Sequence, residues 1–173
     1  KGFVNIMYGC DKFCTYCIVP YTRGRERSRR KEDILREVEE LKASGRKEVV
    51  LLGQNVNAYG KDLKMEDGFT QLLVAVAKTG IERISFYTSH PRDYSETTID
   101  AMRDYPNIMP FLHLPVQSGS DEVLRRMARG YTVERYKQLY NDLKKKVPHI
   151  AFTTDLIVGF PNETDDEFEA TLD

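Results

Sequence analysis

Cysteine is scarce in this chain and confined to one place. Only Cys10, Cys14 and Cys17 occur in 173 residues. Three thiols packed so closely cannot form the distributed pairs of a disulfide framework, which excludes a disulfide-stapled secreted domain and points to a reducing, cytoplasmic setting. Long apolar runs are also missing. None approaches the roughly 18 residues that a membrane-spanning helix needs, so no membrane partner is expected. Internal repeats and low-complexity stretches are absent, and 40% of the residues are apolar, which excludes a disordered chain and suits one packed domain.

Net charge is almost absent, at −1, but the small total hides a segregation. From Arg23 to Lys31 there are six basic residues against Glu26 alone, whereas Asp155–Asp173 holds seven acidic residues and no Lys or Arg. Such asymmetry marks either an anionic partner near the basic end or two solvated faces.

Apolar, β-branched runs alternate with segments of helical period. Phe3–Tyr8, Glu48–Leu52, Arg83–Thr88, Phe111–Val116 and Ala151–Val158 read as strands, several apolar enough to be covered on both faces. Helical patterns lie between them. One carries Ile34, Leu35, Val38 and Leu41 and stops at Ser44-Gly45; a second carries Phe69, Leu72, Leu73 and Val76 and ends at Gly80. A third uses Ile99 and Met102 and halts before Pro106, and the fourth connection holds two pieces, Val123–Met127 and Tyr136–Leu143, separated by Gly130. After the fifth strand, Thr164 and Glu167 have capping-box spacing ahead of Phe168 and Leu172, and the chain ends inside this pattern, as expected of a piece of a longer protein.

This order predicts an α/β fold of about five β/α units with parallel strands and right-handed crossovers, either an open sheet or an incomplete barrel. Ligands gather at the carboxyl ends of such strands. There the sequence places Gly9-Cys10, Gly53-Gln54-Asn55, Ser89-His90-Pro91, Gln117-Ser118-Gly119-Ser120 and Gly159-Phe160-Pro161, small or polar groups at one common rim.

The cysteines are spaced CxxxCxxC. Three thiolates on a short loop can hold three corners of a [4Fe–4S] cube and leave one iron open for an exogenous ligand. A zinc site would need a fourth ligand such as His90 or His113. A Cys14–Cys17 redox pair would leave Cys10 unexplained. Of the two histidines, His113 sits mid-strand as a hydrogen-bonded interior residue, and His90, before Pro91 at a strand end, is the better active-site candidate.

The loop resembles the CxxxCxΦC signature of radical-SAM enzymes, with Tyr16 at the aromatic position. YGCDKFCTYCIVPYTRGRERSR, LLGQNVNAYG, SFYTSHP, FLHLPVQSGSDEVLRRMARGYT and TTDLIVGFPNET extend the resemblance over essentially the whole chain. They are most similar to the methylthiotransferase group, in the branch of tRNA 2-methylthio-N6-isopentenyladenosine synthases.

That resemblance implies a partial (β/α)6-type barrel, here about five units, with 1–173 as a radical-SAM core. An N-terminal auxiliary-cluster domain and a C-terminal TRAM domain would lie outside this chain. It implies one [4Fe–4S] cluster here on Cys10, Cys14 and Cys17, a second in the full protein, and S-adenosylmethionine on the open iron. The implied reaction converts N6-isopentenyladenosine beside the tRNA anticodon to its 2-methylthio derivative, with an electron donor such as a flavodoxin, and this fragment alone would not complete it.

By the same resemblance Tyr16 contacts the cofactor's adenine, Gly53 and Gln54 lie by its methionine moiety, and Gln117 and Ser118 serve its ribose. Ile157 and Gly159 flank the adenine, and Arg129 reaches a cofactor carboxylate through a charge-assisted bond. Arg23, Arg25 and Arg27 pair with RNA phosphates and Asn55 touches substrate. No aromatic platform for RNA with a recognisable spacing is visible. The alternatives are the sister enzymes acting on threonylcarbamoyladenosine in tRNA or on a ribosomal-protein aspartate. In another class stands a zinc- or redox-stabilised RNA-binding module.

Overall fold

The structure, a computed structural model, describes residues 1–172. Its centre is a parallel sheet in which β1 (Gly2–Asn5) and β5 (Arg83–Tyr87) flank β4 (Glu48–Leu52). The central strand is buried along Glu48–Leu51, as its unbroken apolar run predicts. Glu48 at its start is neutralised by Lys1 at 3.1 Å and Arg83 at 3.6 Å.

The helices cover this sheet in chain order. α2 (Lys31–Ala43) packs on β1 and on α3 (Gly68–Lys78); α3 packs on α4 (Glu96–Asp104), and α4 on α6 (Val133–Lys146). Ile34, Val38, Leu72, Leu73, Val76, Ile99, Leu139 and Leu143 bury their helical stripes against Val4, Val49, Leu51, Ile84 and Leu112. The stop signals hold, since α2 ends at Ser44 and α4 ends two residues before Pro106. The starts of α4 and α6 are capped by hydroxyls: Ser95 accepts from Thr98 N–H at 3.2 Å and Thr132 from Arg135 N–H at 3.2 Å.

Three expectations need correction. The strand expected over Phe3–Tyr8 changes partner at Ile6. Beyond it, β2 (Met7–Tyr8) pairs antiparallel with β3 (Arg27–Ser28), a strand that the basic run had disguised as a solvated loop. The parallel sheet is also not continuous. Ile84 bonds the segment 107–109, but the Phe111 N–H, the next donor in that register, turns back to Met109 O at 2.8 Å. β6 (Phe111–His113) and β7 (Ala151–Thr153) therefore form a separate parallel pair. Third, both of those strands are shorter than expected. Val116 N–H is taken by the Thr154 hydroxyl at 2.9 Å, which ends the regular ladder before an isolated Gln117–Leu156 bridge. Leu156 and Val158 are exposed rather than covered. The result is an open α/β barrel of five β/α units, and among the described residues the strands do not close on themselves. No helix among them is long and apolar enough to cross a membrane.

Candidate active site

The ladder between β2 and β3 makes the cysteine loop a closed structure. Tyr8 pairs with Arg27, and inside that pair Cys10 N–H donates to Gly24 O at 3.2 Å. Gly9 has φ +77°, and a Cβ there would lie 2.1 Å from Arg25 O, so only glycine lets the two ends of the loop approach. Pro20 is the buried residue of the five-residue helix α1 (Val19–Arg23), which the sequence patterns did not reveal.

The middle of the loop is held from the far side of the chain. Thr15 N–H donates to Met127 O at 3.1 Å and its hydroxyl to Arg126 O at 3.0 Å, both at the end of α5 (Asp121–Arg126). Cys14 is buried, and Arg129 Nη1 donates to its sulfur at 3.4 Å. Arg129 is itself buried; Nη2 donates to Pro115 O at 3.3 Å and Nε to the Tyr131 hydroxyl at 3.1 Å, which donates on to Val116 O at 2.9 Å. No carboxylate among the described residues pairs with Arg129. A buried guanidinium without an anion is costly, so this spot is built for negative charge on or beside the Cys14 sulfur.

Cys10 and Cys17 line a cleft of about 300 Å³ with Val19, Gly53, Gln54 and Thr88, at the carboxyl ends of β1, β4 and β5. Burial pushes the Cys10 thiol up from its ordinary value, and burial likewise raises Tyr16, beside Arg129, to about 12. Gln54 Oε1 accepts from Gly9 N–H at 2.7 Å, a rim bond that joins the second strand end to the cysteine loop. Among the described residues no three His, Cys, Asp or Glu groups converge as ligands of a single ion. An iron–sulfur cube instead spreads its thiolates over separate corners. His113 bonds Asp155 at 3.1 Å at the end of β6, away from the cysteines. The donor set of three thiols, one open cleft and one unpaired buried cation fits such a cluster.

The other candidates fall in two groups. On the far rim, Gln117 is buried with φ 72° and its backbone bonds Asp155 O and Ile157 N–H, both at 2.9 Å. Ser118 is completely buried; its hydroxyl accepts from Ser120 N–H at 3.1 Å and lies 3.2 Å from the Thr171 hydroxyl of α7 (Asp165–Leu172). Ile157 is half-buried and Gly159 exposed, the latter donating to Glu163 at 2.5 Å.

Under the cysteine loop, the sequence candidates Asn55 and His90 lie with a charged group that the sequence did not suggest, Asp93 with Lys12 and Lys61. Asn55 is buried and gives its amide N–H to Asp93 at 2.6 Å, and its oxygen has no partner among the described residues. Asp93 also receives Lys12, from between Cys10 and Cys14, at 2.7 Å, and Lys61 at 2.6 Å. Burial raises the Asp93 carboxyl, but the three donors outweigh it and hold it at about 2. His90, three residues earlier, is buried edge-on to Tyr131, and Nδ1 accepts from Arg92 N–H at 3.3 Å. Burial and the charge of Arg129 keep it neutral, with a value of about 3. Lys12 and Asp93 stand 81 residues apart, and only spacing-independent tertiary contact joins them.

Arg23, Arg25 and Arg27 are exposed beside the loop. Arg25 reaches Asp11 at 3.4 Å, whereas Arg23 and Arg27 make no ion pair among the described residues.

The family model described as the Radical SAM superfamily matches residues 4–173. The tRNA-2-methylthio-N(6)-dimethylallyladenosine synthase of Bacillus licheniformis is 60% identical over 173 residues, 99% of this chain and 34% of its own length. The protein of that name from Bacillus subtilis is 59% identical over 99% of this chain and 34% of its own length. The chain thus spans about a third of the length of the curated relatives it matches. Among solved structures, the radical S-adenosylmethionine methyltransferase TsrM from Kitasatospora setae superposes with TM-score 0.79, at 18% identity, over 99% of this chain and 31% of its own. The cobalamin-dependent S-adenosylmethionine radical enzyme OxsB gives 0.78 at 16% identity, over 98% and 25%. These two likenesses show the shared fold.

Proposed function

Because this chain belongs to the Radical SAM superfamily, we propose that it is the catalytic core of a tRNA methylthiotransferase acting on N6-isopentenyladenosine beside the anticodon, in the cytoplasm. The observation that carries this reading is identity of 60% sustained over 99% of the chain with a synthase of that name.

When bound, a [4Fe–4S] cluster and S-adenosylmethionine supply reductive cleavage of the sulfonium and the radical that activates C2 of the base. Cys10, Cys14 and Cys17 hold the cluster. Arg129 balances its negative charge from the buried side, through the bond to Cys14 at 3.4 Å. The cleft beside Cys10 and Cys17 would receive the cofactor, with Gly53 and Gln54 on its wall, and Tyr16 would contact its adenine. Gln117, Ser118, Ile157 and Gly159 form the ribose and adenine side of that face, a role for which Ser118 must exchange its bond to Thr171. Arg23, Arg25 and Arg27 take phosphates of the RNA, and Asn55, buried against Asp93, would meet substrate only through its unpartnered side-chain oxygen. All three cysteines serve one cluster, so the sulfur to be transferred is held by ligands outside these residues. A flavodoxin-type protein supplies the electron.

The test is iron and sulfide content after anaerobic reconstitution, with Cys14→Ala as control, followed by assay of 5′-deoxyadenosine formation. The expected result is close to four irons per chain and deoxyadenosine in the unsubstituted protein, with both lost in the variant. Zinc without iron under those conditions would replace this reading with that of a metal-stabilised RNA-binding module.

A further inference from the structure

The cysteine loop carries large side chains that the fold does not cover. Tyr21 is 75% exposed, Ile18 66%, Phe13 42% and Tyr16 39%. All four lie within the closed loop and α1, on the surface around the cleft. On α1, Pro20 is buried and Tyr21, the next residue, faces solvent. Phe13 and Tyr21 meet edge to face, with centroids 6.0 Å apart and planes at 85°. The guanidinium of Arg25 lies 6.0 Å from the centre of the Phe13 ring. Arg23 at the end of α1 and Arg27 in β3, on the segments that bear the rings or close their loop, add exposed charges that no described carboxylate pairs. Exposed apolar rings gathered in one place are uncommon on a soluble surface unless a partner uses them.

We propose that Tyr21 and Phe13, framed by Arg23, Arg25 and Arg27, form a stacking platform for unpaired nucleotides of the RNA loop that presents the reacting base; the proposal rests on the RNA-substrate reading above. Charge complementarity selects the occupant. Rings with arginines around them match bases joined by phosphates, because every base offers a π face and every linkage a negative charge. A base inside a duplex hides its faces, so the platform selects single-stranded loops over helices. Its position on the cysteine loop also sets a direction: nucleotides stacked on Tyr21 run toward the cleft of Cys10 and Cys17. The platform escapes sequence inspection because Phe13 and Tyr21 follow no helical or strand period and meet only through the loop's closure.

The experiment compares binding of the cluster-loaded protein to an isopentenylated anticodon-type stem-loop and to a blunt RNA duplex, by fluorescence anisotropy over a range of salt. Tyr21 is so exposed that its replacement leaves the fold intact. Tyr21→Ala is expected to weaken stem-loop binding about tenfold, to spare duplex binding, and to leave the salt slope unchanged; Tyr21→Phe is expected to retain affinity. Arg23→Ala is expected to lower the salt slope for both RNAs. Stem-loop affinity untouched by Tyr21→Ala would overturn the platform and assign these rings to a protein contact. An equal loss on duplex would overturn it as well. Failure of the unsubstituted protein to bind the stem-loop would instead sink the RNA-substrate reading itself.

Discussion

The guanidinium of Arg129 donates to the sulfur of Cys14 across 3.4 Å, although 115 residues of chain separate them. Three further contacts of the same group, to Pro115 O, to Tyr131 and through Tyr131 to Val116 O, tie the cysteine loop to the strand end after β6. Arg129→Met removes the bonds to Cys14 and Tyr131 and leaves Pro115 O only its 3.3 Å contact with the Tyr131 hydroxyl. The expected cost is about 2 kcal/mol in urea unfolding of the apoprotein, together with reduced iron uptake on reconstitution. Arg129→Lys does not restore it, because a single ammonium cannot reproduce the fork. Unchanged stability and iron content in Arg129→Met would show that the contact is incidental.

Asp93 makes stability depend on acid. Its carboxyl is held at about 2, below the ordinary 3.8, so its contribution is present in full above the unfolded value and is lost as pH falls through the folded one. That contribution amounts to roughly 2 kcal/mol. Asp93→Asn removes it and leaves Lys12 and Lys61 facing a neutral group. The stability gap between the two proteins is expected to narrow between about pH 4 and pH 2. A gap constant over that interval would rule out Asp93 as the titrating group.

Gly9 and Gln54 together close the top of the loop. Gly9→Ala places a Cβ 2.1 Å from Arg25 O at a φ of +77°, so the ends of the loop must separate. Gln54→Leu removes only the acceptor for Gly9 N–H, held at 2.7 Å. Gly9→Ala is expected to abolish cluster incorporation. Gln54→Leu is expected to permit incorporation but to weaken S-adenosylmethionine binding about tenfold, near the value of one lost hydrogen bond to a buried donor. Equal iron loading in Gly9→Ala, read from the iron-to-protein ratio, would contradict the closed-loop geometry.

α7 is pinned by Glu167, which accepts from Arg126 at 2.7 Å and from Thr164 N–H at 2.9 Å. Those two donors hold its carboxyl at about 2, so the pin is complete above the ordinary carboxylate range and released as pH falls toward that value. Glu167→Gln is expected to lower the protection of α7 amides, relative to their intrinsic exchange rate, at neutral pH and to make that protection insensitive to acid, while the protection of β4 stays unchanged. Slow exchange in the variant would mean that the close seat of α7 on Gly119, where an added Cβ would lie 2.2 Å from Ala170 O, suffices alone.

Much of this was legible in the chain. Glu48–Leu52 is a strand at the very bounds its apolar run indicates, and Thr164 and Glu167 exchange the two bonds that capping-box spacing implies, at 3.3 and 2.9 Å. The cysteine spacing likewise placed three thiols on one short loop, which the Cys10 N–H bond to Gly24 O closes. These features are local, and local periodicity, caps and turn residues determine them.

What the tertiary structure alone decided is everything that depends on two distant segments meeting. Arg27–Ser28 is a strand only because Met7–Tyr8 offers unpaired backbone beside it. The parallel sheet breaks after Met109, where the Phe111 N–H that would continue the ladder bonds back to Met109 O instead. Lys12 finds Asp93, Arg129 finds Cys14, and Phe13 finds Tyr21 through chain closure that no spacing encodes. By itself the sequence determined which residues could carry the chemistry and which local elements would present them. Packing determined which charges are buried without a counterion and which rings are left in water, because burial belongs to the whole fold and not to any one segment.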